Sequence, residues 1–211
     1  MSVATVTRGR SRPKPEADLS LHAHGPRSFG WWGMVWLIAT EATLFAALIA
    51  TYFFLRFRTT GAWPPGDISA PELGLPLVMS AILLSSSIPV HIAESGIRRG
   101  QVARLRWGLA AGFLLGATFL AITLGVEWPD ELQEFTPRTN VYGSLYFTLT
   151  GFHAAHVLVG LLFSAWTQVR AWRGAFDEQR HVTVQNFAMY WHFVDVVWIA
   201  VFSTIYFSPK L

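Results

Sequence analysis

The sequence predicts an all-α fold, a polytopic transmembrane bundle of five helices. Three observations predict it: a composition 52% hydrophobic and only 14% charged, long apolar runs almost free of charge, and tryptophans gathered at the ends of those runs. A soluble domain carries roughly 25% charged residues. Between Trp31 and Leu55 the single acidic or basic residue is Glu41, and a run of that length matches the roughly 20 apolar residues that cross about 30 Å of hydrocarbon. Trp31, Trp32, Trp63, Trp107, Trp128, Trp166 and Trp172 stand near run ends, where their amphipathic rings favour headgroup depth.

Taken in order, residues 1–28 are polar, basic and proline-bearing, with Arg8, Arg10, Arg12 and Lys14. No apolar stretch follows the basic one as a signal peptide requires, so this segment reads as a disordered basic cytoplasmic tail preceding one domain over residues 29–211. The spans are expected at 29–55, 73–95, 105–127, 141–168 and 184–207, joined by short loops. Twelve of the sixteen Lys and Arg residues fall in the tail, the second-to-third loop and the fourth-to-fifth loop, the last holding Arg170 and Arg173. Basic residues near span ends stay on the cytoplasmic side, which predicts a cytoplasmic amino terminus and an outside carboxyl terminus. The pI of 9.6 therefore reflects topology, and no nucleic-acid partner is expected.

Inside the third span Gly108, Gly112 and Gly116 recur every four residues, a spacing that lets helix backbones approach closely. In the second span Ser85, Ser86 and Ser87 precede Pro89. Proline removes one hydrogen-bond donor and kinks a helix, and the serine hydroxyls are expected to satisfy the freed carbonyl.

Ionisable residues within the spans are costly and mark function or tight pairing. Glu41 lies ten residues beyond Trp31, roughly 15 Å into the membrane at 1.5 Å per residue. His153 and His156 share a helical face at spacing three, and His156 and Glu41 lie at similar depth on oppositely directed helices. A Glu41–His156 hydrogen bond is therefore expected. His192 and Asp195, again three apart, form a second pair able to reduce each other's desolvation cost, either as a clamp between helices or as a proton-transfer group. Glu94 and Glu127 lie near opposite interfaces, within reach of headgroups or water. No Glu-x-x-His ligand motif occurs in the spans, and the chain has no cysteine, which excludes disulfides, iron–sulfur clusters and thiolate copper. No metal site is expected in this chain, although three intramembrane histidines leave a haem-binding membrane anchor as a reading from a different class.

Four ordered motifs resemble subunit III of haem–copper cytochrome c oxidases. They are Glu41-Ala42-Thr43-Leu44-Phe45-Ala46, Trp63-Pro64-Pro65-Gly66, Val141-Tyr142-Gly143-Ser144 leading to Thr150-Gly151-Phe152-His153 and His156, and Tyr190-Trp191-His192-Phe193-Val194-Asp195. The likeness covers nearly everything from residue 29 onward and is to the short five-helix bacterial form. Longer members have seven helices, and this chain begins where their third begins. The resemblance implies a non-redox accessory subunit of a proton-pumping oxidoreductase in aerobic respiration. It would sit in the bacterial inner membrane against subunit I, with subunit II and small subunits, haem and copper residing in those partners. It further implies support of proton uptake and of the catalytic subunit's stability. Bound phospholipid is implied as well, with Arg170, Arg173, Glu127 and Trp128 as lipid or interface candidates. Glu41 matches the family's carbodiimide-reactive membrane glutamate, and a haem–copper quinol oxidase is the nearest alternative.

Overall fold

A computed structural model describes residues 29–66, 68 and 71–210; the tail expected at 1–28 lies outside the described residues. Six helices form: α1 (Phe29–Arg58), α2 (Gly74–Ile97), α3 (Val102–Ile122), α4 (Trp128–Glu134), α5 (Val141–Trp172) and α6 (Val182–Phe202). Five stretches are long and apolar enough to cross a membrane, with α3 and α4 sharing one continuous stretch, Val102–Glu134. There is no strand among the described residues.

The third span does not end near residue 127 as the sequence suggests. A wide π turn at Thr123–Glu127 carries the chain straight into α4. Pro129 has no N–H for the carbonyl four residues back, and its fixed φ suits a helix start; the widened turn absorbs the missing bond without breaking direction. The same device closes the bundle. Ser203–Phe207 is a second π turn, Pro209 offers no N–H to the Ile205 carbonyl, and the Tyr142 hydroxyl donates to that carbonyl at 3.0 Å.

α2 packs on α3, α3 on α5, α5 on α6, and α6 also on α1 and α2. The core of this bundle is aromatic, with Trp191, Trp198, Tyr142, Tyr146, Tyr206, Phe119 and Phe187 almost fully buried. α1 is peripheral, burying only Phe45 and Tyr52. The glycine stripe of α3 serves two neighbours. A Cβ on Gly108 would meet the Pro89 carbonyl and Ala93 of α2, whereas one on Gly116 would meet the Trp191 ring of α6.

Connections are held by side chains. Asn140 caps α5 by accepting from the Gly143 N–H at 2.8 Å, while its own Nδ2 donates to the Pro65 carbonyl. This ties the α1–α2 loop to α5. Trp63 of that loop donates its indole N–H to Tyr52 at 2.8 Å. At the opposite end, Gly174 takes φ +73° just past α5, the left-handed conformation that glycine adopts without strain.

Candidate functional site

Three clusters of polar groups inside the bundle hold its ionisable side chains, each stitching helices that are distant in sequence. The first joins α1 to α5. His156 Nε2 lies 3.1 Å from Glu41 Oε2, and His156 Nδ1 lies 2.7 Å from the Phe152 carbonyl. A carbonyl only accepts, so Nδ1 carries a proton. Phe45, one helical turn below Glu41, packs edge-on against the imidazole at 5.0 Å. Tyr190 of α6 donates to the His156 backbone carbonyl. The Glu41 side chain remains 33% exposed, so the pair sits on the rim of the bundle, where a lipid or neighbouring subunit would meet it.

His153 does not join this pair. Spacing three on a helix leaves about 60° between side chains, enough to turn His153 into the core while His156 faces α1. There its ring packs against Trp198 at 4.8 Å and Phe119 at 5.8 Å, fully buried with neither ring nitrogen hydrogen-bonded.

The second cluster joins α2 to α6 and differs from the expected His192–Asp195 bond. Ser87 stands between them: its hydroxyl donates to Asp195 Oδ2 and lies 2.9 Å from His192 Nδ1. With the hydroxyl proton committed to Asp195, His192 Nδ1 is the donor to Ser87 Oγ. The serine run is thus not devoted to the carbonyl freed by Pro89. Ser85 and Ser86 donate to the Ile82 and Leu83 carbonyls, Ser86 accepts the Trp191 indole N–H at 2.8 Å, and Ser80 accepts that of Trp198. From the sequence the serines were expected only to satisfy the carbonyl freed by Pro89; the part of Ser87 as a bridge emerges once α6 is laid alongside.

Glu127 belongs to a third cluster and does not reach headgroups. It is 3% exposed, and its Oε1 accepts from the hydroxyls of Tyr146 and Tyr206. The continuation through the π turn places Glu127 within the helix stack instead of at its end. Trp128 packs beside it, edge-on to Phe147 at 5.9 Å.

At the amino-terminal end of the bundle, Arg106 donates to the Ala171 carbonyl and lies over the Trp172 ring at 4.8 Å. Arg170 lies over Trp166 at 4.9 Å, and Arg173 is exposed at the α5 terminus. The guanidinium groups of Arg106 and Arg170 thus lie against aromatic rings at this end of the bundle. Among the described residues no three His, Cys, Asp or Glu side chains are placed to share one metal ion.

The family model described as "Cytochrome c oxidase subunit III" matches residues 21–209. Among similar curated proteins, cytochrome c oxidase subunit 3 of Thermostichus vulcanus is 33% identical, covering 90% of this chain and 92% of its own. The protein of the same name from Corynebacterium diphtheriae is 37% identical over 83% and 86%. Cytochrome bo(3) ubiquinol oxidase subunit 3 of Pseudomonas aeruginosa is 34% identical over 90% of each chain.

Proposed function

Because the chain belongs to the cytochrome c oxidase subunit III family and is thus subunit III of a haem–copper oxidase, we propose that it serves a proton-pumping cytochrome c oxidase. In this reading it is an accessory subunit without a redox centre, seated against the haem- and copper-bearing subunit I of a bacterial cell membrane. Subunit II and small subunits complete the complex. The observation that carries the reading is the Glu41–His156 pair. A carboxyl roughly 15 Å from the nearest interface is held by an imidazole on the rim of the bundle, a place where its cost in lipid is met only by pairing, protonation or a covering neighbour. The other intramembrane polar groups are spent on helix-to-helix bonds: Ser87 with His192 and Asp195, Glu127 with two tyrosines. His153 is packed between aromatic rings, which disfavours the haem-anchor reading. The subunit's work is then to shield subunit I, hold phospholipid at the arginine-bearing end and support proton uptake.

Carbodiimide treatment of the intact complex tests this directly. Glu41 should be modified, with Glu41→Gln abolishing the label at that site; a Glu41 left untouched while a control membrane carboxyl reacts would sink the assignment. A complex prepared without this chain should lose activity progressively over turnovers. The quinol branch is kept as a second reading because the Pseudomonas relative bears that name over 90% of both chains. Oxidation of reduced cytochrome c but not of quinol by the purified complex separates the two.

A further inference from the structure

A polar stripe runs along the seam of α2 and α6 from the arginine-bearing end of the bundle to its middle. On α2, Ser87, His91, Glu94 and Arg98 follow at spacings of four, three and four, which keeps them on one helical face. Arg98 donates to Glu94, and the charges of Glu94 and His91 both reach His192 on α6. Ser87 lies ten residues before the end of α2 and Asp195 thirteen beyond the start of α6. At 1.5 Å per residue the stripe descends about 15–20 Å, and it ends on a carboxyl that is 6% exposed.

Ser87 is set apart from the other serines of its helix. Ser80, Ser85, Ser86 and Ser95 donate to carbonyls one turn back, as helical serines commonly do. Ser87 instead donates to Asp195 Oδ2 and accepts from His192 Nδ1. A hydroxyl that accepts on one side and donates on the other can pass a proton without moving. With Nδ1 carrying a hydrogen, a proton reaching the half-buried His192 ring arrives at Nε2. The Nδ1 proton then passes to Ser87 Oγ while the Ser87 proton passes to Asp195 Oδ2. Three groups change bonds and one proton is gained: His192 ends neutral with its hydrogen on Nε2, Ser87 donates to Nδ1, and Asp195 is a neutral acid.

Beyond Asp195 the path closes. The next turn of α6 presents Trp198, whose indole N–H donates to Ser80, and an indole only donates. A proton that enters must leave the way it came. The other elements packed on α6 bring no competing route: Glu41 of α1 is held by His156 of α5, His153 of α5 is packed between Phe119 and Trp198, and the ionisable residues of α3 are Arg104 and Arg106 near its start. We propose that Asp195 is a one-ended proton store, filled and emptied through His192 and Ser87 from the arginine-bearing end. The store is separate from the Glu41–His156 pair and is the same whichever electron donor serves the complex.

Infrared difference spectroscopy of the purified intact oxidase complex after a rapid fall in pH tests this, because a protonated carboxyl has its own carbonyl band. Wild type should gain such a band, and Asp195→Asn should lack it. Ser87→Ala should fill about a hundredfold more slowly, the lower end of what a positioned proton carrier contributes, and Ser87→Thr should restore the rate. A merely structural hydroxyl would alter stability but not this rate. His192→Gln keeps an amide able to donate to Ser87 yet carries no proton through, so it should be as slow as Ser87→Ala and reads the same step if the alanine variant does not assemble. A band insensitive to pH, or one unchanged by Asp195→Asn, would overturn the proposal. Filling at the wild-type rate in either Ser87→Ala or His192→Gln would do the same.

Discussion

Gly108→Ala puts the close packing of α2 and α3 to a quantitative test. The added Cβ would lie 2.5 Å from the Pro89 carbonyl oxygen, 2.9 Å from Ala93 Cβ and 3.0 Å from the Ala93 nitrogen. Two of these atoms are backbone and the third is a methyl fixed to it, so none can rotate away. Carbon-to-oxygen contacts settle near 3.3–3.6 Å, and relief therefore requires the two helices to part by about 1 Å. Overpacking of this kind costs about 1–3 kcal/mol, and a gap of that size forfeits about a quarter to a half of the dispersion energy along the seam. Alanine returns about 0.8–1.0 kcal/mol of helix propensity. A net loss of up to about 2 kcal/mol remains. Gly33→Ala on α1 isolates the propensity term, since nothing lies within 4 Å of its Cβ, and should stabilise by up to about 1 kcal/mol. Dodecyl sulfate titration of the purified chain in mixed micelles, followed by tryptophan fluorescence, measures both. A Gly108→Ala variant as resistant as Gly33→Ala would refute the tight seam.

Three further outcomes follow from individual bonds. Ser87→Ala strips Asp195 of its remaining hydrogen bond, because Oδ1 is already unpartnered; it should destabilise by about 1–3 kcal/mol and be rescued by Ser87→Thr, with equal stability of alanine and threonine variants as the contrary result. Tyr206→Phe deprives the buried Glu127 carboxyl of a donor and should cost about 1–3 kcal/mol, more than Tyr142→Phe, where a neutral carbonyl is affected at about 0.5–1.5 kcal/mol; the reverse order in the same unfolding assay would count against Glu127 as the centre of that cluster. In the α5–α6 loop, the Arg180 side-chain hydrogen bond holds the Asp177 carboxyl below its ordinary value. Its order is thus fully present above that ordinary value and lost as pH falls through the lowered one. Amide exchange at Gln179 and Arg180, whose N–H groups donate to Asp177, should accelerate only there.

How much of this was legible in the sequence depends on whether a residue's partner could be located by counting along one helix. Glu41 and His156 could be matched because each sits a fixed rise from a charged boundary on oppositely directed helices, and depth is linear in residue number at 1.5 Å per residue. Azimuth is less forgiving. His153 and His156 share a face by spacing, yet the turn of about 60° between them sends one against Trp198 and the other to Glu41. Glu127 was misplaced for a different reason: Trp128-Pro129 looks like the end of a span, but a widened turn lets the helix run on through the proline. A span end read from composition lies inside a continuous helical stretch, and a carboxylate placed within reach of headgroups or water is wrapped by tyrosines. Ser87 was beyond reach altogether, since a serine in a helix always has a carbonyl one turn back to bond. Only the lateral register of α2 on α6, fixed by Trp191 on Ser86 and Trp198 on Ser80, turns its hydroxyl toward Asp195. Depth in such a bundle is written in one helix, whereas partnership is written in the packing of two. The residues that decide how this subunit holds its buried charge are therefore the small serines and glycines at the seams as much as the acids and histidines themselves.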